Sequence, residues 1–99
     1  MKICALCGKF ADCEHHLIFG MGLRELADQD GLTIPLCNEC HNTGRDRIHD
    51  NVAAERLSKM LGQALWELQY VVDQHPESNY DAVYDAAEKF RARYGRSYL

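Results

Sequence analysis

Four of the five cysteines fall into two pairs, Cys4-x2-Cys7 and Cys37-x2-Cys40. Thiolates at that spacing can close a tetrahedron around one zinc ion. The 29 residues between the pairs are more than a simple zinc ribbon needs, so a structural zinc is expected to tie the base of an inserted unit, and function should sit in that insert. A thiol redox pair would need only one C-x2-C motif in a βαβ setting. Cys13, the fifth cysteine, is expected to be a small buried residue beside the strand it opens.

The insert carries Glu14-His15-His16-Leu17-Ile18, His41 follows Cys40 directly, and His49 stands eight residues further on. Imidazole titrates near neutral pH and serves both as metal ligand and as general base. Neighbouring residues of a strand point to opposite faces, so His15 and His16 must take different jobs. Four imidazoles bracketing a zinc staple favour a second metal site over isolated surface histidines. His75, next to Pro76, is expected to be a turn residue.

The elements that must position these groups are short in the first half and long in the second. Residues 3–7 are expected to enter the first knuckle as a strand, and residues 13–19 form a second strand candidate. Gly20 and Gly22 break the chain, residues 23–27 can make one helical turn, and residues 32–36 form a strand whose Pro35 favours an edge. A short helix is expected over residues 38–42, ended at Gly44. From Val52 the apolar spacing predicts a long helix running to about His75, with Asp50 or Asn51 as cap and Leu57, Leu61, Ala64, Leu65, Leu68, Val71 and Val72 along its stripe. A second helix follows Pro76, where Ser78 and Asp81 resemble a capping box, with Tyr80, Val83, Ala87, Phe90 and Tyr94 on one face. The two should form a hairpin, its stripes and Trp66 serving as core or as a dimer interface.

A 99-residue chain makes one small domain whose core alone gives marginal stability, so a metal staple is expected. No apolar stretch approaches the roughly 20 residues that span a bilayer, and the start lacks a secretory signal. A cytoplasmic, reducing setting without membrane attachment is the expectation. The net charge of -4 runs against bulk electrostatic binding of nucleic acid, although Lys89, Arg91, Arg93 and Arg96 crowd the C-terminal end.

Residues 4–50 resemble HNH, or His-Me finger, endonucleases, specifically the subgroup whose ββα-metal fold is pinned by two C-x2-C pairs. The matching segments are Glu14-His15-His16-Leu17-Ile18 and Ile34-Pro35-Leu36-Cys37-Asn38-Glu39-Cys40-His41, with His49 beyond. More loosely, His16-Leu17-Ile18-Phe19-Gly20 through Leu36-Cys37 is similar to nuclease-like proteins of phages and prophages, which implies an origin in a bacterial host.

The resemblance implies an α+β fold in which residues 1–50 form the zinc-stapled ββα-metal core. Residues 51–99 would form a C-terminal helical extension packed on it, as one compact domain. It places His15 and His41 as ligands of a catalytic divalent metal (Mg²⁺, Mn²⁺, Ni²⁺ or Zn²⁺) and His16 as the general base for hydrolysis of DNA phosphodiester bonds. His49 would be a third ligand, brought back by a loop because the glycine-containing stretch before it is longer than the family's single helical turn. The family's middle asparagine has no counterpart where Leu32 or Thr33 stands; Asp28, Asp30, Thr33 and Asn38 are candidates to replace it. Arg24, Arg45 and Arg47 are candidate DNA-phosphate contacts. Besides DNA, a targeting or packaging protein and a homodimer are the partners this reading allows. The alternative is a noncatalytic zinc module that binds nucleic acid or protein through the helical hairpin.

Overall fold

The structure, a computed structural model, describes residues 2–45, 47–76 and 79–99. Strand β1 (Cys13–His16) and strand β2 (Thr33–Leu36) pair antiparallel, with Cys13 opposite Leu36 and His16 opposite Thr33. Helix α1 (Leu23–Gln29) joins them. A π-helical turn (Glu39–Thr43) and a 3₁₀ turn (Ile48–Asp50) lead into helix α2 (Val52–Gln74) and helix α3 (Tyr80–Tyr94). The fold is therefore α+β, a two-stranded sheet followed by a C-terminal helical pair. Among the described residues no helix is long and apolar enough to cross a membrane.

Several expected elements come out shorter. Residues 3–7 form no strand: only Ile3 bridges to Phe10, while Cys4 N–H donates to Lys9 O and Gly8 N–H to Cys4 O. A knuckle this tight, with Gly8 at φ 81°, leaves no room for a ladder. β1 stops at His16, although Leu17 N–H still reaches Leu32 O at 2.9 Å, because Gly20 and Gly22 turn the chain into α1 with positive φ. The helix expected over 38–42 is a π-helical turn. It ends where Gly44 approaches so closely that a Cβ would lie 2.4 Å from Glu39 O.

Both long helices have asparagine caps. Asn51 Oδ1 accepts from Ala54 N–H at 3.1 Å, and Asn79 Oδ1 from Ala82 N–H at 3.0 Å. Asn79, not the expected Ser78–Asp81 box, therefore starts α3; Ser78 lies outside the described residues. The apolar face expected for α3 is corrected more sharply, and of the two places expected for the α2 stripe the core of the chain is not the one it takes. α3 buries Ala82, Ala86, Phe90 and Tyr94, whereas Tyr80 and Val83 point outward. α2 buries Ser58, Gly62 and Gln63 and leaves the leucine stripe exposed. On α2 the small Ser58 and Gly62 let the helix approach Leu17 and Ile18 of the main core, to which α3 adds Phe90 and Tyr94.

The clearest such approach is Gly62, where a Cβ would sit 2.7 Å from Ile18 Cγ1 and 3.1 Å from Leu17 Cβ. Gly62→Ala gains about 1 kcal/mol of helix propensity but overpacks this contact at a cost of about 1–3 kcal/mol. The expected outcome is a lower urea midpoint; a higher one would mean that Ile18 yields freely.

Asp30 locks α3 across the end of α1. Its carboxylate accepts from Trp66 Nε1 at 3.0 Å, from Arg93 Nε and Nη2 at 2.7 Å, and from Tyr94 Oη at 2.7 Å. Arg93, one of the four C-terminal cations, is thus engaged within the protein. At the far end of the hairpin, Tyr70 Oη and His75 Nε2 both reach Asp85 at 2.8 Å, which fits His75 to its expected place at the turn.

Candidate functional site

The two knuckles converge. Cys4, Cys7, Cys37 and Cys40 each offer a sulfur, all within 4.8 Å of one another, and this cluster could hold a metal ion such as zinc. Its base is tied to the sheet by Ala5 N–H donating to Pro35 O at 2.9 Å. Asp12 Oδ1 caps the second knuckle by accepting from Asn38 N–H at 2.7 Å. Cys4 and Cys37 also form a second apolar cluster with Leu36 and Ile48. Cys13 stands outside the four and is only half-buried, its thiol near Asp12 and Asn38.

His15, His41 and His49 form a second cluster of ligand atoms within the same 4.8 Å limit. The β1 strand supplies His15, the π-helical turn His41, and the 3₁₀ turn brings His49 back despite its long spacing. His15 is fully buried, with Nε2 2.8 Å from Ser58 Oγ. The Ser58 hydroxyl spends its single proton on Leu17 O at 2.8 Å, so the imidazole must be the donor to Oγ. That fixes the proton on Nε2 and leaves Nδ1 with a bare lone pair, the one buried side-chain nitrogen or oxygen without a partner among the described residues. A buried acceptor left open costs free energy unless something fills it, and an outer hydrogen bond that sets the tautomer is how proteins prepare a histidine ligand.

The other two rings fit the same use. His49 Nδ1 faces Glu55 Oε2 at 3.4 Å, while His49 Nε2 and His41 Nε2 face each other at 3.0 Å. Burial, and then charge on His49, Arg24 and His16, pushes the His41 pKa down and favours the neutral ligand form.

Burial, followed by the neighbouring His49, His41 and His16, holds the His15 pKa down at about 4. The unfolded chain titrates near 6.5, so it binds more protons than the native state between these values, and stability falls as pH falls through that window. Without a metal at the histidines, this ring is expected to cost about 1 kcal/mol between pH 7 and 5.5. Urea midpoints should show that slope in the native chain and a shallower one in His15→Gln; equal slopes would remove His15 as its source.

His16 lies beside the cluster and outside it. Its side chain is 13% exposed, and Nε2 is 3.2 Å from Asp28 Oδ1 on α1. An ionised carboxylate only accepts, so the shared proton sits on Nε2, which in the neutral ring leaves the lone pair on Nδ1. Of the four residues considered for the place of the asparagine, Asp28 is the one bonded to this ring; Asp30 is taken up by Arg93, Tyr94 and Trp66.

A cleft of about 350 Å³ is lined by His16, His41, His49, Arg24, Phe19 and Asn42, among others. Arg24 therefore belongs to the site. Arg47 is occupied elsewhere, bonded to Gly44 O at 3.0 Å and paired with Asp50 at 3.1 Å. Arg45 is exposed on the connection after the π-helical turn.

Sequence reasoning missed Ser58, because nothing local marks a helical serine as the partner of a histidine 43 residues away. It also missed Lys59, whose ammonium stands 4.6 Å from the Phe19 ring centroid, with that ring 4.9 Å from His49. Arg56 and Arg96 line a separate cleft with it.

No curated protein and no solved structure matches the chain significantly. The DUF968 family, described as a protein of unknown function, matches residues 1–74. With that match spanning both cysteine pairs, all four site histidines and α2, the chain belongs to the DUF968 family.

Proposed function

We propose that this protein is a metal-dependent DNA endonuclease of the HNH kind, with a structural zinc on Cys4, Cys7, Cys37 and Cys40 and a divalent metal on His15, His41 and His49. The reading is carried by one observation: buried His15, whose Nδ1 has no partner, clusters with two further imidazoles beside a fourth that stays outside the cluster. A scaffold needs no such separation of one ring from three.

A divalent ion held by the three rings would supply positive charge for a scissile phosphate oxygen and the leaving 3′ oxygen. The chain's own groups do the rest. His16 Nδ1 takes the proton from attacking water, and Asp28 holds the ring through Nε2–H. Arg24, which lines the same cleft, would meet a phosphate. Lys59, over the Phe19 ring, extends positive charge along α2 for the flanking backbone. Attack by water with departure of the 3′ oxygen leaves 5′ phosphates.

The test is cleavage of supercoiled plasmid by the zinc-loaded protein with added Mg²⁺, Mn²⁺ or Ni²⁺. Metal-dependent nicking with 5′-phosphate ends is expected. Inactivity across these metals and across single- and double-stranded DNA would replace the nuclease with the noncatalytic zinc module.

A further inference from the structure

The outward face of α2 is its most apolar. Ten positions between residues 53 and 72 lie within about 140° of the helical wheel with no polar residue among them. The large ones are open to solvent: Leu57 is 63%, Leu61 45%, Leu65 41%, Leu68 62% and Val72 61% exposed. Scaled to roughly 200 Å² per full side chain, these five and Met60 present about 600 Å². Leu6 of the first knuckle, across an apolar cleft from Leu57 and Leu61, brings the patch toward the roughly 800 Å² that each partner buries in a standard interface.

We propose that this face pairs α2 antiparallel with α2 of a second copy of the chain, about a two-fold axis passing the level of Gly62 and Gln63. The spacing of the stripe is its own mirror image about that level. An antiparallel pair sets Leu57 opposite Leu68, Met60 opposite Leu65 and Leu61 opposite Ala64. Towards the ends, the small Ala53 and Ala54 meet Val72 and Val71, so the seam runs along about 29 Å of helix, with large residues on small ones at the centre and ends and large on large between.

Charge agrees with the same arrangement. Arg56 and Glu67 lie on the same edge of the stripe, and antiparallel pairing brings like edges together, setting Arg56 within a turn of Glu67 across the interface. A parallel pair would put Ala64 on Ala64, leaving a gap, and would turn the Arg56–Glu67 edge towards Ser58, Leu65 and Gln69, which carry no charge.

Sedimentation or light scattering of the zinc-loaded protein is expected to give twice the 11.3 kDa chain mass. Leu57→Lys and Leu68→Glu each should halve that mass while circular dichroism and zinc content stay unchanged, because both side chains are solvent-exposed on a single chain. The double variant should return to the dimer, since the antiparallel register sets the new lysine of each copy against the new glutamate of the other, once on either side of the axis. A monomeric wild type would assign the face to a different protein and overturn the proposal. So would single variants that remain dimeric, or a double variant that stays monomeric.

Discussion

Stripping the metal from the four-cysteine cluster is expected to unfold the protein. Structural zinc contributes about 10–16 kcal/mol of apparent binding free energy near neutral pH, while a domain of this size has about 5–15 kcal/mol of net stability in all. The cluster is also built into the packing, since Cys4 and Cys37 bury against Leu36 and Ile48 and the first knuckle is bonded to β2 through Ala5 and Pro35. Losing the ion frees two knuckles, one edge of β2, and the turns that present His41 and His49. Metal analysis should find one zinc per chain. Cys37→Ser should lose that zinc and its cooperative thermal transition together, whereas Cys13→Ser should keep both, because Cys13 lies outside the cluster. A chain that melts cooperatively with no metal bound would show that the fold does not depend on an ion at these thiols.

Much of the site was legible because its parts are local. Paired C-x2-C motifs announce a four-thiol cluster by spacing alone, and the His15–His16 dipeptide separates its two rings by strand alternation: one ring is fully buried, the other partly open to a cleft. The return of His49 required tertiary contact, since only the 3₁₀ turn ahead of α2 closes the long loop after His41. The lock on His15 was not legible at all. Ser58 looks like any polar interruption of a helix until Leu17 O and His15 Nε2 are seen on either side of its hydroxyl.

The helices show the opposite failure. Periodicity located α2 and α3, and Asn51 was among the expected caps. Periodicity does not say which stripe faces inward when two are available. Gly62 gains by close approach what the leucines would have gained by area, so the larger hydrophobic face stays exposed on the chain.

If the proposed chemistry is right, His16→Ala should reduce metal-dependent cleavage by about 10² to 10⁴, the usual contribution of a general base. The protein should otherwise stay intact, because His16 belongs to neither ligand cluster and, among the described residues, its side-chain hydrogen-bond partner is the exposed Asp28. Zinc content, thermal unfolding and binding of the second metal should therefore match the wild type, and exogenous imidazole should restore part of the rate by filling the vacated position. Asp28 separates proton transfer from positioning. Asp28→Asn keeps a carbonyl oxygen able to accept from Nε2–H and should retain most activity, while Asp28→Ala leaves the ring to rotate and should fall well below it. Activity equal to wild type in His16→Ala, with His41→Ala dead, would move the base to another group and leave the three-histidine cluster as the site. Inactivity of the wild type itself would leave His16 with no proton to take, and the cysteine cluster as the scaffold of a binding module.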